Sequence, residues 1–162
     1  MISYSATNVD EQMKCVHTFF HREAQEKGIQ LILTPSLAEE DTIISTDLEK
    51  LYAVLINLVK NAIKYTLEGT IEFGYVKKNK QLEFFVKDTG IGISKEDLPH
   101  IFRRTYRADM SRNSAGGSGL GLSICKKIIE EHGGEIWAES KLRAGTTIFF
   151  TLNKVIDQSK EK

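Results

Sequence analysis

Two asparagines stand four residues apart in "NLVKNAIKY", Asn57 and Asn61, inside what otherwise reads as a buried amphipathic helix. Asparagine is a mediocre helix former, because its side chain competes for backbone hydrogen bonds. An amide oxygen can, however, ligate a hard cation such as magnesium, which keeps waters and phosphate oxygens in the rest of its shell. Lys64 and Tyr65 continue the same face at spacings of three and four. That face offers amides, an ammonium and a phenol. A merely solvated face is the plainer alternative, though such faces are usually charged rather than amide-rich.

A second group lies in "DTGIGI", where Asp88 follows an apolar strand pattern and precedes Gly90 and Gly92. Glycines here let backbone approach a ligand closely or adopt positive φ. A carboxylate at a strand end can accept a hydrogen bond from an exocyclic amine, which would select adenine; a simple turn after a strand is the alternative. A third group is "GGSGLGLSI", a glycine-rich loop running into a helix start, where free backbone N–H groups and the positive dipole end favour phosphate. No Gly-Lys-Ser/Thr follows at the spacing of a Walker A loop. The segment before it is an Arg-rich loop rather than a strand, which argues against a dinucleotide-binding Rossmann unit.

The elements that must position these residues alternate between α and β. Residues 9–27 show Met13, Val16, Phe19 or Phe20, and Ala24 at helical spacing, with Gly28 in the position favoured after a helix end. "IQLILT" is a short strand stopped by Pro35, and "PSLAEED" a polar loop. Thr46 as N-cap with Glu49 three residues on predicts a capping box opening the asparagine helix. Its core stripe is Leu48, Leu51, Leu55, Leu58 or Val59, and Ala62. "TIEFGYVKK" and "QLEFFVKD" form a hairpin about Lys78-Asn79-Lys80, and "SKEDLPHIF" a short helix capped by Ser94. Residues 103–118 lack apolar periodicity and are long enough for a functional loop. "GLGLSICKKIIEEHGG" is a helix ended by a Gly pair, "EIWAES" and "GTTIFFTL" are strands, and "DQSKEK" is a fraying, disordered tail.

At 162 residues the chain fits one domain able to bury a real core. Apolar residues make up 41% and charged ones 27%, and Lys+Arg and Asp+Glu both total 22. That balance gives no reason to expect nucleic acid or an anionic membrane surface as partner. No apolar run approaches the roughly 20 residues that span a bilayer, and no signal-peptide pattern opens the chain, so direct membrane contact is not expected. The chain reads as cytoplasmic, whether or not a parent protein is membrane-anchored. Cys15 and Cys125 are expected to be buried free thiols, and the four histidines show no metal-ligand spacing with them.

The order "NLVKNAIKYT", "DTGIGI", "IFRRTYRADMSR", "GGSGLGLSICKKIIEEHGG", "GTTIFFTL" strongly resembles the catalytic ATP-binding domain of sensor histidine kinases, in the superfamily that includes DNA gyrase B and the mismatch-repair ATPases. The resemblance runs from about residue 27 to residue 152. It implies an α/β two-layer sandwich, a mixed and mostly antiparallel sheet with about three helices on one face and a flexible ATP lid. It divides the chain into an N-terminal helical segment (1–27), the ATP-binding domain (28–154) and a tail (155–162). It implies ATP and Mg²⁺ as cofactors, with Asn61 as metal ligand and Asn57 facing the triphosphate where hydrolysing relatives carry a glutamate base. Lys64, Arg104 and Arg107 match basic residues near the phosphates. Tyr65 matches an aromatic stacked on adenine, and Asp88 the reader of its amino group. Gly90 and Gly92 match glycines shaping the purine pocket, with Ile93 beside them, and Phe102 the aromatic of the family's F-motif. Gly117, Gly119 and Gly121 match the phosphate-cradling glycines, with Leu120 and Leu122 between and after them. Gly145 and Thr146 match the turn behind the adenine.

The chain departs from the family pattern at Arg103 and Thr105, where an acidic residue and a second aromatic are usual; that bears on lid packing and partner contact. The family's His-Glu-Leu-Arg-Thr-Pro phosphoacceptor motif is absent, and His21 in "TFFHREAQ" lacks its proline, so a surface histidine is the better reading. The implied activity is that of a protein-histidine kinase fragment, moving the γ-phosphate of ATP to a histidine on a dimerisation domain not in this chain, with a response regulator downstream. A serine kinase or ATPase of the same superfamily, or a non-catalytic nucleotide-binding module, are the alternatives.

Overall fold

The computed structural model describes residues 2–34, 42–103 and 120–153. Strand β1 (Ser5–Asn8) leads directly into helix α1 (Val9–Glu26), whose N-cap Asn8 accepts from the Glu11 N–H at 3.1 Å. Val9, Met13, Val16, Phe20 and Ala24 make the buried stripe of α1, while Phe19 is 63% exposed. The 3.6-residue period thus selects Phe20 of the two neighbouring aromatics. Lys27 caps α1, and Gly28 turns the chain at φ +81° into strand β2 (Ile29–Leu33).

Strand β3 (Ile43–Thr46) pairs antiparallel with β1 in a separate two-stranded sheet that composition alone did not predict. Helix α2 (Leu48–Lys64) follows at once. Its N-cap is Asp47, not Thr46: the Asp47 carboxylate accepts from the Lys50 N–H at 3.2 Å and from the Ser3 N–H at 2.9 Å. Thr46 is unavailable for capping because it closes the β1–β3 ladder opposite Ser5, and its hydroxyl lies 2.9 Å from His132 Nε2. The N-cap is therefore displaced by one residue, and with Lys50 rather than Glu49 at the third helical position the expected capping box is not formed. Leu51, Leu55, Leu58, Val59 and Ala62 are buried as expected, but Leu48 is 42% exposed because it opens the helix at its rim.

Strands β4 (Gly69–Lys78) and β5 (Gln81–Asp88) form the predicted hairpin, with Lys78 paired to Gln81 across the two-residue turn and Asn79 at φ +56°. "SKEDLPHIF" holds only one 3₁₀ turn, Leu98–His100; before it, the Ser94 hydroxyl accepts from the Asp97 N–H at 3.1 Å. Helix α3 (Leu120–Glu131) ends at Gly133 (φ +78°), and strands β6 (Ile136–Lys141) and β7 (Gly145–Asn153) complete the sequence.

The main sheet has the order β2-β4-β5-β7-β6, with β2 and β4 parallel and every other pair antiparallel. One face carries Ile71, Phe73, Tyr75, Leu82, Phe84, Val86, Ile148, Phe150 and Leu152, all buried in one core with α1, α2 and α3. Registered neighbours Tyr75, Phe84 and Phe150 stack across three strands, with centroids 5.5 and 4.5 Å apart. Such pairs add about 0.5–1.5 kcal/mol each beyond area burial. The other face is only partly covered, with Trp137 stacked on Phe149 at 5.2 Å. The architecture is a two-layer α/β sandwich, with three helices among the described residues over a mixed, mostly antiparallel sheet. Cys125 is buried as expected, but Cys15 is exposed: it stands outside the α1 stripe set by Met13 and Val16.

Candidate nucleotide-binding site

Helix α2 is the spine of the site. Its core stripe fixes the opposite face, so Asn57, Asn61, Lys64 and Tyr65 are all half-buried at its polar edge. At about 1.5 Å per residue this stripe extends roughly 12 Å from Asn57 to Tyr65. Tyr65 caps the helix by donating its N–H to Asn61 O at 3.1 Å, and the Lys64 ammonium lies 5.3 Å from the Tyr65 ring centre. From α1, Lys27 Nζ reaches the same helix end, donating to the carbonyls of Ile63 and Lys64. A cation there satisfies terminal carbonyls and complements the negative end of the dipole.

At the Asn57 end, α3 packs closely on α2. A methyl group on Gly121 would stand 3.4 Å from Asn57 Oδ1, an ordinary contact distance, so the first turn of α3 lies directly beside that amide. One turn later the buried Cys125 thiol lies 3.9 Å from Val54 O, and burial pushes its pKa up to about 12. Leu122 is partly buried against the core. The start of α3 thereby sits next to the first asparagine.

At the Tyr65 end stands Asp88, the last residue of β5. Its Oδ1 accepts from the Gly90 N–H at 2.9 Å and the Thr146 N–H at 3.1 Å. Burial raises its pKa above the ordinary 3.8, opposed by those two bonds. Among the described residues no donor reaches Oδ2. The loop after Asp88 is threaded where side chains do not fit. A Cβ on Gly90 would collide with Tyr65 O, one on Gly92 (φ +76°) with Lys141 O, and one on Gly145 (φ +101°) with Asp88 O. The Ile91 N–H donates to Tyr65 O at 3.1 Å, tying the loop to the end of α2.

Ser140, which no sequence pattern singled out, fastens the other side. Its hydroxyl accepts from the Ile93 N–H at 2.8 Å, donates to Gly145 O at 2.9 Å, and lies 2.7 Å from Thr146 Oγ1. Only the β6–β7 register, Ser140 opposite Thr146, brings it there. Phe102 is partly buried against the core. The structure thus gathers Asn57, Asn61, Lys64, Tyr65 and Gly121 along α2, and Asp88, Gly90, Gly92, Ile93 and Thr146 at its C-terminal end. Leu120 opens α3. Arg104, Thr105, Arg107, Gly117 and Gly119 lie outside the described residues, as do the "PSLAEED" loop and the tail.

Residues 46–156 match the family model described as histidine kinase-, DNA gyrase B-, and HSP90-like ATPase. The chain belongs to this ATPase family. Among its relatives, the sensor histidine kinase WalK of Bacillus subtilis (strain 168) is 43% identical over 121 residues, 72% of this chain and 20% of that protein. The sensor protein SrrB of Staphylococcus aureus (strain NCTC 8325 / PS 47) is 43% identical over 138 residues, 83% of this chain and 23% of that protein. The nucleotide-free catalytic domain of histidine kinase ThkA superposes with a TM-score of 0.82 at 30% identity, covering 94% of this chain and 97% of that one. This member of the ATPase family is an ATP-binding domain of the sensor histidine kinase type, and it spans about a fifth of the length of those curated relatives.

Proposed function

We propose that this domain binds ATP with magnesium along the polar edge of α2 and delivers the γ-phosphoryl group to a histidine on a dimerisation domain outside the chain. The observation that carries this reading is the pairing of two unlike ends on one helix. A half-buried carboxylate anchored by two N–H groups stands beside Tyr65, and the start of a helix stands beside Asn57, roughly 12 Å away. The first end suits a 6-aminopurine and the second suits phosphates.

Asp88 accepts from the exocyclic amine, Tyr65 offers its ring to the base, and Thr146 and Ser140 hold the carboxylate's surroundings in place. Asn57, Lys64, Gly121 and the N–H groups at the start of α3 face the phosphates, with Gly117, Gly119, Arg104 and Arg107 joining them by family match. The donor set fits a hard cation: Asn61 supplies a half-buried amide oxygen, and phosphate and water oxygens complete the shell. A magnesium ion held there would neutralise phosphate charge as it spreads in transfer.

An incoming imidazole nitrogen forms the new P–N bond as the bond to the β-phosphate oxygen breaks; ADP leaves, and the imidazole proton passes to solvent. The chain's own part is positioning and charge stabilisation. Asn57 cannot take a proton from water, so hydrolysis should be slow. The resulting phosphohistidine would serve a response regulator; a structure of ThkA with the response regulator protein TrrA, at 29% identity, supports that class of partner.

The test is calorimetric titration with ATP, with and without Mg²⁺, for wild type and Asn61→Ala. Saturable binding that tightens with Mg²⁺ in wild type but not in the variant is expected. Wild-type binding indifferent to Mg²⁺ would remove the metal role of Asn61. Transfer is then read by adding a histidine-bearing hairpin in trans with labelled ATP. Steady phosphate release without that acceptor would favour the ATPase reading.

A further inference from the structure

Helix α1 carries two imidazoles that the nucleotide site does not use. His17 and His21 are four residues apart, so one helical turn brings them onto the same face. Their ring centres stand 5.5 Å apart, with planes inclined at 38°. With metal–nitrogen bonds of about 2.0–2.1 Å, two imidazoles sharing a tetrahedral ion have ring centres roughly 5 Å apart. The ring spacing already matches a chelate.

The His17 ring is held from two sides. Its Nε2 lies 3.0 Å from the carbonyl oxygen of Leu31 on the edge strand β2, and its face stacks on buried Phe73 at 6.3 Å. A carbonyl only accepts, so Nε2 carries the proton and Nδ1 keeps its lone pair. A ring N–H donated to a backbone carbonyl is the support that metal-binding histidines ordinarily have, because it fixes tautomer and orientation. Covering an edge-strand carbonyl would by itself account for His17. It gives no reason for a second ring beside it. His21 is exposed and His17 half-exposed, so an ion can reach both.

Two imidazole donors suit a borderline divalent transition metal (zinc, nickel or copper(II)), not the hard magnesium ion proposed for the nucleotide site. The neighbouring cations are already paired, Lys14 with Asp10 at 3.2 Å and Arg22 with Glu26 at 3.3 Å. Among the described residues no third His, Cys, Asp or Glu joins the two rings, so water fills the remaining positions. We propose that His17 and His21 form a two-ligand site for a borderline divalent transition-metal ion on α1, with Nδ1 of His17 as one donor. An ion bound there ties α1 to the sheet edge through His17 and Leu31. The inference stands independently of the nucleotide reading.

The test is calorimetric titration of the untagged chain with zinc chloride in the presence of excess Mg²⁺. Every protein carries Cys15→Ser, so that the exposed thiol cannot bind the ion. One saturable site is expected when both histidines are present. Changes to outer-shell partners alone alter metal affinity by about 10–100-fold, so His21→Gln, which removes a ligand, should weaken binding by at least about tenfold. That variant leaves the Leu31 contact of His17 in place. Combining His21→Gln with Arg22→His keeps the histidine count but turns the second ring about 100° around the helix, and should bind as weakly as His21→Gln. Zinc should raise the melting temperature only where both histidines stand in place. No saturable zinc binding with both histidines present would overturn the proposal. So would equal binding by either variant, or displacement of the zinc by Mg²⁺.

Discussion

Asp88 shows how a site residue can work against the stability of its own fold. Burial raises its pKa above 3.8 despite two backbone donors on Oδ1, so the native state holds that proton more tightly than the unfolded chain does. The contribution to stability is fully present below pH 3.8 and is lost as pH rises through the elevated native value. In the absence of ligand, Asp88→Asn should therefore melt higher than wild type at pH 7, and the gap should close near pH 3.5; a pH series of thermal melts checks this. The same substitution should blunt preference for ATP over GTP in competition binding, because an amide can donate to a 6-oxo group as well as accept from an amine. Asp88 was visible in the sequence because a carboxylate at the end of an apolar strand, followed by two glycines, is an unusual combination. Ser140 was not visible. A serine in a strand is ordinary until pairing register brings it beside the carboxylate's loop.

At the scale of elements, the site depends on two close approaches. The first turn of α3 meets α2 at Gly121, where a Cβ would just touch Asn57 Oδ1 at 3.4 Å. Gly121→Ala should bind ATP near wild-type strength, whereas Gly121→Val should displace the amide. The loss of a hydrogen bond to a charged phosphate would then weaken binding about tenfold or more, measurable in the same titration. The β6–β7 turn meets the Asp88 loop at Gly145, where φ +101° and the Asp88 carbonyl both exclude a side chain. Gly145→Ala should lower the melting temperature by several degrees, in line with about 1–3 kcal/mol of strain in a domain of this size. The glycines were legible as a pattern. What each one avoids was not, since the opposing carbonyls come from segments about 50 residues away in the case of Gly92. The displaced cap of α2 has the same origin: Thr46 and Asp47 are both good N-caps by type, and the β1–β3 ladder decided between them.

For the whole molecule, the layering of the three helices among the described residues on one sheet face separates the two thiols. Cys125 lies between α3 and α2 with its pKa pushed up to about 12, while Cys15 faces outward from α1. A thiol reagent at pH 8 should modify one cysteine in the native domain and two in denaturant, and Cys15→Ser should abolish the native-state reaction. No helix among the described residues is long and apolar enough to cross a membrane. The sequence by itself determined the α/β class, the order of most elements, the asparagine face of α2 and the family, because periodicity, glycine-rich motifs and side-chain chemistry are local or ordered along the chain. Only the tertiary structure decided the β1–β3 sheet, the choice of Asp47 as cap, the exposure of Cys15, and the placing of Ser140 beside the Asp88 loop. Each of those depends on contacts between segments far apart in sequence, where burial and register set which ordinary side chain meets which.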